Sequence, residues 1–143
     1  MAVTHKYSIV CDEVRREDNG KLLIIGMYSN SVIIVPSFPA VLPSLTILSV
    51  FEGNRPESMP FRLEIRRLEN NQKAAEAQGF ANIQQPGEGL MPVRFSPMVF
   101  QESGSYTAQL EMGGELIPIA SLQVMLPPAQ SMQFGTTNPF SKR

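Results

Sequence analysis

The chain has no tryptophan, one cysteine, one histidine and two aspartates, Asp12 and Asp18, in 143 residues. Each scarcity argues against a class of chemistry. Cys11 alone cannot close an intramolecular disulfide, so nothing points to an oxidising compartment. A Ser–His or Cys–His site would have to use His5, which precedes the first strand pattern and is expected to be a frayed surface imidazole. Hard cations need about six or more oxygen ligands. Asp12 and Glu13 are adjacent, and within a strand they point to opposite faces and cannot chelate together. Eleven glutamates are scattered without nominating a catalytic pair. The expectation is a non-enzyme with no catalytic residue, no metal and no cofactor.

Strong charge of one sign is missing as well. Twelve basic side chains face 13 acidic ones, a balance that gives no overall field for nucleic acid or anionic lipid. The aromatics do not interleave with basic clusters as they do on single-strand-binding surfaces. No run approaches the roughly 18 apolar residues of a membrane span, and MAVTHKYSIVCDEV lacks the pattern of a secretory signal. Neither nucleic acid nor membrane is expected as a partner, and a cytoplasmic location is expected.

What the sequence does contain is alternation. Phe61, Leu63 and Ile65 alternate with Arg62, Glu64 and Arg66, and Tyr106, Ala108, Leu110 and Met112 alternate with Thr107, Gln109 and Glu111. Such a period of two marks strands with one buried and one wet face. LLIIGMY and SVIIV are apolar on both faces and fit covered strands. Twelve prolines between Pro36 and Pro139 leave few windows for a helix. The pattern predicts strands near 6–14, 21–28, 31–35, 44–52, 61–69, 73–82, 91–100, 104–112 and 115–126. KAAEAQ, within 73–82, is also good helix material. About nine short strands at this spacing imply an all-β antiparallel sandwich, immunoglobulin-like or C2-like, as one domain over 1–128.

VRREDNGKLLIIG, residues 14–26, concentrates charge around Asn19-Gly20. A phosphate-cradling loop would need several glycines opening a helix. Asn-Gly between two strand patterns instead predicts a two-residue type I′ hairpin. Arg15, Arg16 and Glu17 are then exposed tip charges, with a binding surface as the sharper alternative. Cys11 shares parity with Tyr7 and Ile9 and is expected as an inert core thiol. SVIIV ends at Pro36 and could present Val32 and Ile34 on an edge strand that pairs with a second copy. Residues 129–143 are polar and glycine-bearing and are expected to form a flexible tail. Phe134 and Phe140 are the anchors if that tail is a docking motif.

Four local patterns carry a family likeness. They are Cys11-Asp12 in the first strand, Gly20-Lys21 at the hairpin, Ile25-Gly26-x-Tyr28 after it, and Phe38-Pro39 leading to Leu42-Pro43. Over residues 6 to 126 the chain resembles a family of small bacterial and phage-associated proteins known only as a domain of unknown function. The resemblance implies a sandwich fold and supplies no activity. The functional expectation is a non-catalytic protein-interaction module. A self-assembling or virion-associated structural protein, and a small-molecule or lipid binder with a pocket between sheets, are the alternatives.

So polar a tail can bury little apolar surface. Deleting residues 129–143 is expected to leave the melting temperature nearly unchanged in calorimetry. A fall of several degrees would show that Phe134 or Phe140 packs against the domain or a partner.

Overall fold

A computed structural model of the chain describes residues 3–53, 57–83 and 87–128. The tail expectation, with Phe134 and Phe140, lies outside them. Among the described residues there are eleven strands: β1 Val3–Arg16, β2 Leu22–Met27, β3 Val32–Ile34, β4 Ala40–Leu42, β5 Leu45–Gly53, β6 Glu57–Arg67, β7 Lys73–Ile83, β8 Gly87–Phe95, β9 Met98–Phe100, β10 Gly104–Met112 and β11 Glu115–Met125. The described residues contain no helix long and apolar enough to cross a membrane. Two sheets form an all-β sandwich, one ordered β2-β1-β5-β8 and the other β3-β11-β10-β6-β7, with β4 and β9 pairing as a small third sheet. Pairing is antiparallel except where β3 runs parallel to β11.

The predicted strands all appear, and three details differ. LLIIGMY and SVIIV are not covered strands: β2 and β3 each end a sheet, and Leu23, Ile24, Ile25, Met27 and Ile34 are exposed. The run at 91–100 is two strands, because Pro97 separates β8 from β9, and the Phe38-Pro39 connection contributes the extra strand β4. KAAEAQ is strand, not helix. Ala75, Ala77 and Ala81 of β7 lie in register with Ile65, Leu63 and Met59 of β6, so tertiary pairing decides a segment whose propensity is ambiguous. Prolines inside strands sit where the ladder is one-sided. Pro60 precedes the β6–β10 pairing, Pro92 lies on the edge strand β8, and Pro118 lies ahead of the residues of β11 that pair with β3. A missing N–H costs nothing there.

Contacts of β1 with β11 and of β7 with β8 bring the sheets face to face. Between them Leu45, Ile47 and Phe51 of β5 meet Leu63, Ile65, Leu110, Met112, Leu122 and Val124, all buried. Each such side chain contributes on the order of 1.5–3 kcal/mol by leaving water. Phe100 and Tyr106 close one end edge to face, with ring centroids 5.0 Å apart.

A bulge between His5 and Tyr7 reverses the parity of β1. Beyond it Val10 and Asp12 point inward, whereas Tyr7, Ile9 and Cys11 point to the outer side of the four-stranded sheet. Cys11 is buried as expected, but it lies in register with Met27 and Thr46 on that outer side, apart from the core between the sheets. His5 is not frayed. It stands within β1, its ring edge-on to Phe51 at 5.4 Å.

The hairpin at the charged stretch is real, but its turn is not type I′. Gly20 N–H donates to the Glu17 carbonyl (2.9 Å), and Glu17 N–H donates to Lys21 (2.8 Å). That makes a three-residue loop, Asp18-Asn19-Gly20. Only Gly20 takes a positive φ, +87°, while Asn19 stays out of the left-handed region. A type I turn followed by a glycine bulge fits this pattern. Asn19 instead accepts Lys21 N–H through its side-chain oxygen at 3.0 Å, a local bond that favours the turn.

The other special glycine is Gly26. At φ +68° it lies against Asp12, and a Cβ there would sit 2.2 Å from the Asp12 carboxylate. That carboxylate accepts the Tyr28 hydroxyl at 2.6 Å, while the Asp12 carbonyl accepts Ser44 (2.8 Å) and Thr46 (3.2 Å). The likeness-bearing residues Asp12, Gly26 and Tyr28 thus form one packed node.

Gly20→Val should cost roughly 1–3 kcal/mol from backbone strain alone, since a Cβ there meets nothing within 4 Å. Gly26→Ala adds a steric clash and the displaced Tyr28 bond, and should cost roughly 2–4 kcal/mol. Alanine at Arg15, Arg16 and Glu17 together should cost well under about 1 kcal/mol. Urea titration of the variants checks the order.

Candidate interaction site at the open edge of the sandwich

The inward-facing positions of β7 are unusually small. Ala75, Ala77, Gly79 and Ala81 alternate toward the interior, and Gly89 occupies the inward position of β8 opposite Phe51. These small residues on β7, with Gly89 on β8, border a space between the sheets that is not filled at that side. The result is an open cleft of about 410 Å³ bordered by Phe51, Phe61, Phe80, Leu90, Met91 and Met112, among others. Among the described residues, Asn82 is the only polar side chain at its border, and no charged one lines it. A Cβ on Gly79 would stand 3.0 Å from the Phe61 ring, and one on Gly89 3.3 Å from Ile83. Phe61 and Ile83 therefore pack directly against these two glycines at the border of the cleft.

Beside the cleft runs a bare strand edge. Strand β7 ends its sheet, so among the described residues no strand pairs with its outer side. Lys73 and Glu76 bind each other at 2.8 Å near its start, where β9 also approaches. From Ala77 to Ile83 there is neither charge nor proline. The other edges are better guarded: β8 carries Pro92, β3 has three residues, and β2 is interrupted by Gly26. Phe80 stands on the rim of the cleft, 70% exposed.

A family model matches residues 6–125, most of the chain. The chain belongs to DUF6941, a family of unknown function. No curated protein matches it. Family membership therefore brings no activity to this chain, and the chemistry has to be read from its own surface.

The marked residues that are described, Arg15, Arg16, Glu17, Val32 and Ile34, fall elsewhere and are not gathered into one site. Arg15 pairs with Glu13 at 2.6 Å near the tip of the β1–β2 hairpin, and Arg16 and Glu17 are exposed beside it. Strand β3 is indeed an edge, with Ile33 buried and Ile34 exposed, but only three residues long. The cleft was missed because its signal is smallness. Alanine and glycine at every second position of 75–81 are unremarkable until Phe51, Phe61 and Met112 are brought round them.

His5 takes part in a polar chain. Its Nε2 lies 2.9 Å from Ser8 Oγ, which lies 2.9 Å from Ser49 Oγ. The chain satisfies Ser49, which is fully buried. His5 borders a shallow hollow with Val3, Thr4, Glu115 and Ile117, while Ser8 and Ser49 lie outside it. The pair thus resembles a nucleophile and base in distance only, since that hollow brings no substrate space to Ser8.

Burial pulls the His5 pKa below its ordinary 6.5, against a backbone hydrogen bond to Tyr7 that raises it. The unfolded chain then binds the proton more readily. Stability should be undiminished above pH 6.5 and fall as pH drops below that value, until the folded-state imidazole also protonates. In urea titrations between pH 7.5 and 5, His5→Phe, which keeps the ring contact with Phe51, should flatten this fall. An identical slope in both proteins would show that other groups govern it.

Proposed function

We propose that this domain is a non-catalytic protein-interaction module that adds an extended segment of a partner to the free edge of β7. A large apolar side chain of that segment would enter the adjoining cleft. The observation that carries the reading is the coincidence of the two features: an uncharged, proline-free edge over Ala77–Ile83 and an apolar cleft of about 410 Å³ alongside it. A bare edge offers main-chain donors and acceptors that only another extended chain satisfies in series. Alternate side chains of an added strand point the same way, so one in two can be read by a pocket. Cytoplasmic, cofactor-free action belongs to the same reading.

A second reading is a small apolar ligand, such as an acyl chain, in the cleft alone. Its volume falls within the roughly 300–1,000 Å³ of small-ligand sites, and among the described residues no charged side chain lines it.

A labelled heptapeptide alternating threonine with valine around a central phenylalanine tests the proposal by fluorescence anisotropy. Binding is expected, weakened both by N-methylation of alternate peptide amides and by Ala81→Leu, which extends a side chain into the cleft. Dodecanoate binding that Ala81→Leu abolishes, with no peptide binding, would favour the small-ligand reading. If N-methylation has no effect on the peptide, edge addition is wrong.

A further inference from the structure

We infer that the outer face of the four-stranded sheet is a self-association surface, covered by a second copy of this chain. The inference is independent of the β7 edge.

The pairing registers define what this face presents. Leu23, Ile25 and Met27 lie on β2, Tyr7, Ile9 and Cys11 on β1, Thr46, Leu48 and Val50 on β5, and Leu90 and Pro92 on β8. Leu48 and Val50 are each only 2% exposed, although they point away from the core between the sheets. Around them Met27 is 63% and Tyr7 51% exposed, and Leu23, Ile25 and Leu90 are exposed too. A sandwich sheet open to water normally alternates apolar-in with polar-out. Here both faces of one sheet are apolar, and among the described strands none covers the outer one. Tyr7, Leu23, Ile25, Met27 and Leu90 are exposed around a buried centre of Cys11, Leu48 and Val50, and exposed apolar side chains grouped in this way mark an interaction surface.

Charge complementarity identifies the occupant. At one end of the strands Glu13 lies between Arg15, at 2.6 Å, and Arg94, at 3.6 Å. At the other end Lys6 lies between Glu52, at 3.3 Å, and Glu88, at 3.0 Å. Two cations with one anion make the first cluster net +1, and one cation with two anions makes the second net −1. The apolar band separates them.

Self-association of two copies uses the same patch twice. A two-fold axis lying in the interface across the strands reverses strand direction from one copy to the next. The +1 cluster of each copy then meets the −1 cluster of the other, twice over, with the apolar bands stacked between. Sheets pack in this way about 10 Å apart. The face is therefore complementary to itself.

Sedimentation velocity of the full chain over a concentration series should show a monomer–dimer equilibrium that weakens as salt rises. Tyr7→Lys with Met27→Glu, at exposed positions, should give a folded monomer, with unchanged melting behaviour as the control. Arg94→Glu alone makes the first cluster −1 and should weaken association by roughly tenfold or more. Glu88→Arg alone makes the second cluster +1 and should do the same. The two together restore opposite signs and should recover the dimer, which neither misfolding nor an unrelated partner surface would produce.

A monomer at every concentration overturns the inference. So does a dimer that ignores these changes but is lost with Val32→Lys and Ile34→Lys on β3, or with charges placed on β7. A monomer that dimerises only after removal of residues 129–143 would put the chain's own C-terminal segment on the face, and would overturn it too.

Discussion

The Asp12 carboxylate, held between Gly26 and the Tyr28 hydroxyl, is the contact on which the architecture turns. At this point the chain leaves the four-stranded sheet, passes Ser29–Ser31 and enters the other sheet as β3. Tyr28 is pinned twice, its N–H donating to the Val10 carbonyl at 2.9 Å and its hydroxyl to Asp12 at 2.6 Å. The Asp12 carbonyl takes Ser44 and Thr46 from the start of β5. Three strands of one sheet and the exit to the next are thereby fixed by one residue's polar atoms. A hydrogen bond to a charged acceptor is worth more than a neutral one, on the order of 1.5–3 kcal/mol. Burial and the neighbouring carboxylate accordingly push the Tyr28 pKa well up from its ordinary value, keeping the hydroxyl a donor.

The two sides of the molecule differ. On one side the node fixes the passage of the chain from β2 to β3. On the other, β7 is followed by β8 over as short an interval, Ile83 to Gly87, and small residues such as Ala81 and Gly89 border a cleft beside Phe51, Phe61 and Met112. The same economy of side-chain volume leaves β7 close enough to β8 for contact while keeping its outer edge bare.

Several polar groups inside the fold find local partners. Ser49 has Ser8, Tyr106 donates to the Glu102 carbonyl, and Arg67 donates to the Ser103 carbonyl at 2.8 Å. These bonds tie loops and neighbouring strands together. The surface offers shape and apolar area, at the open edge and on the outer face of the first sheet.

How far the sequence alone reached follows from the range of the forces involved. Alternation in FRLEIRR and SYTAQLEM specified strands and their buried sides, because side-chain direction in a strand repeats every two residues whatever it packs against. The Asn-Gly hairpin was legible as a hairpin, but loop length depends on which residues close the ladder. The pairing of Glu17 with Lys21 made it three residues instead of two. SVIIV could be recognised as a possible edge, but not how short it is. The side taken by Cys11 was not legible: Tyr7, Ile9 and Cys11 do share a face, but the outer face of this sheet is apolar as well, so apolar parity did not mark the core between the sheets. The cleft and the self-complementary charges depend on strands far apart in the chain. Gly79 faces Phe61, Gly89 faces Phe51, Glu13 meets Arg94 and Lys6 meets Glu88 only after pairing registers are set. Local sequence determined which segments are strands. Only the tertiary structure decided which face each strand turns to water, because that choice rests on the cumulative register of non-local hydrogen bonds.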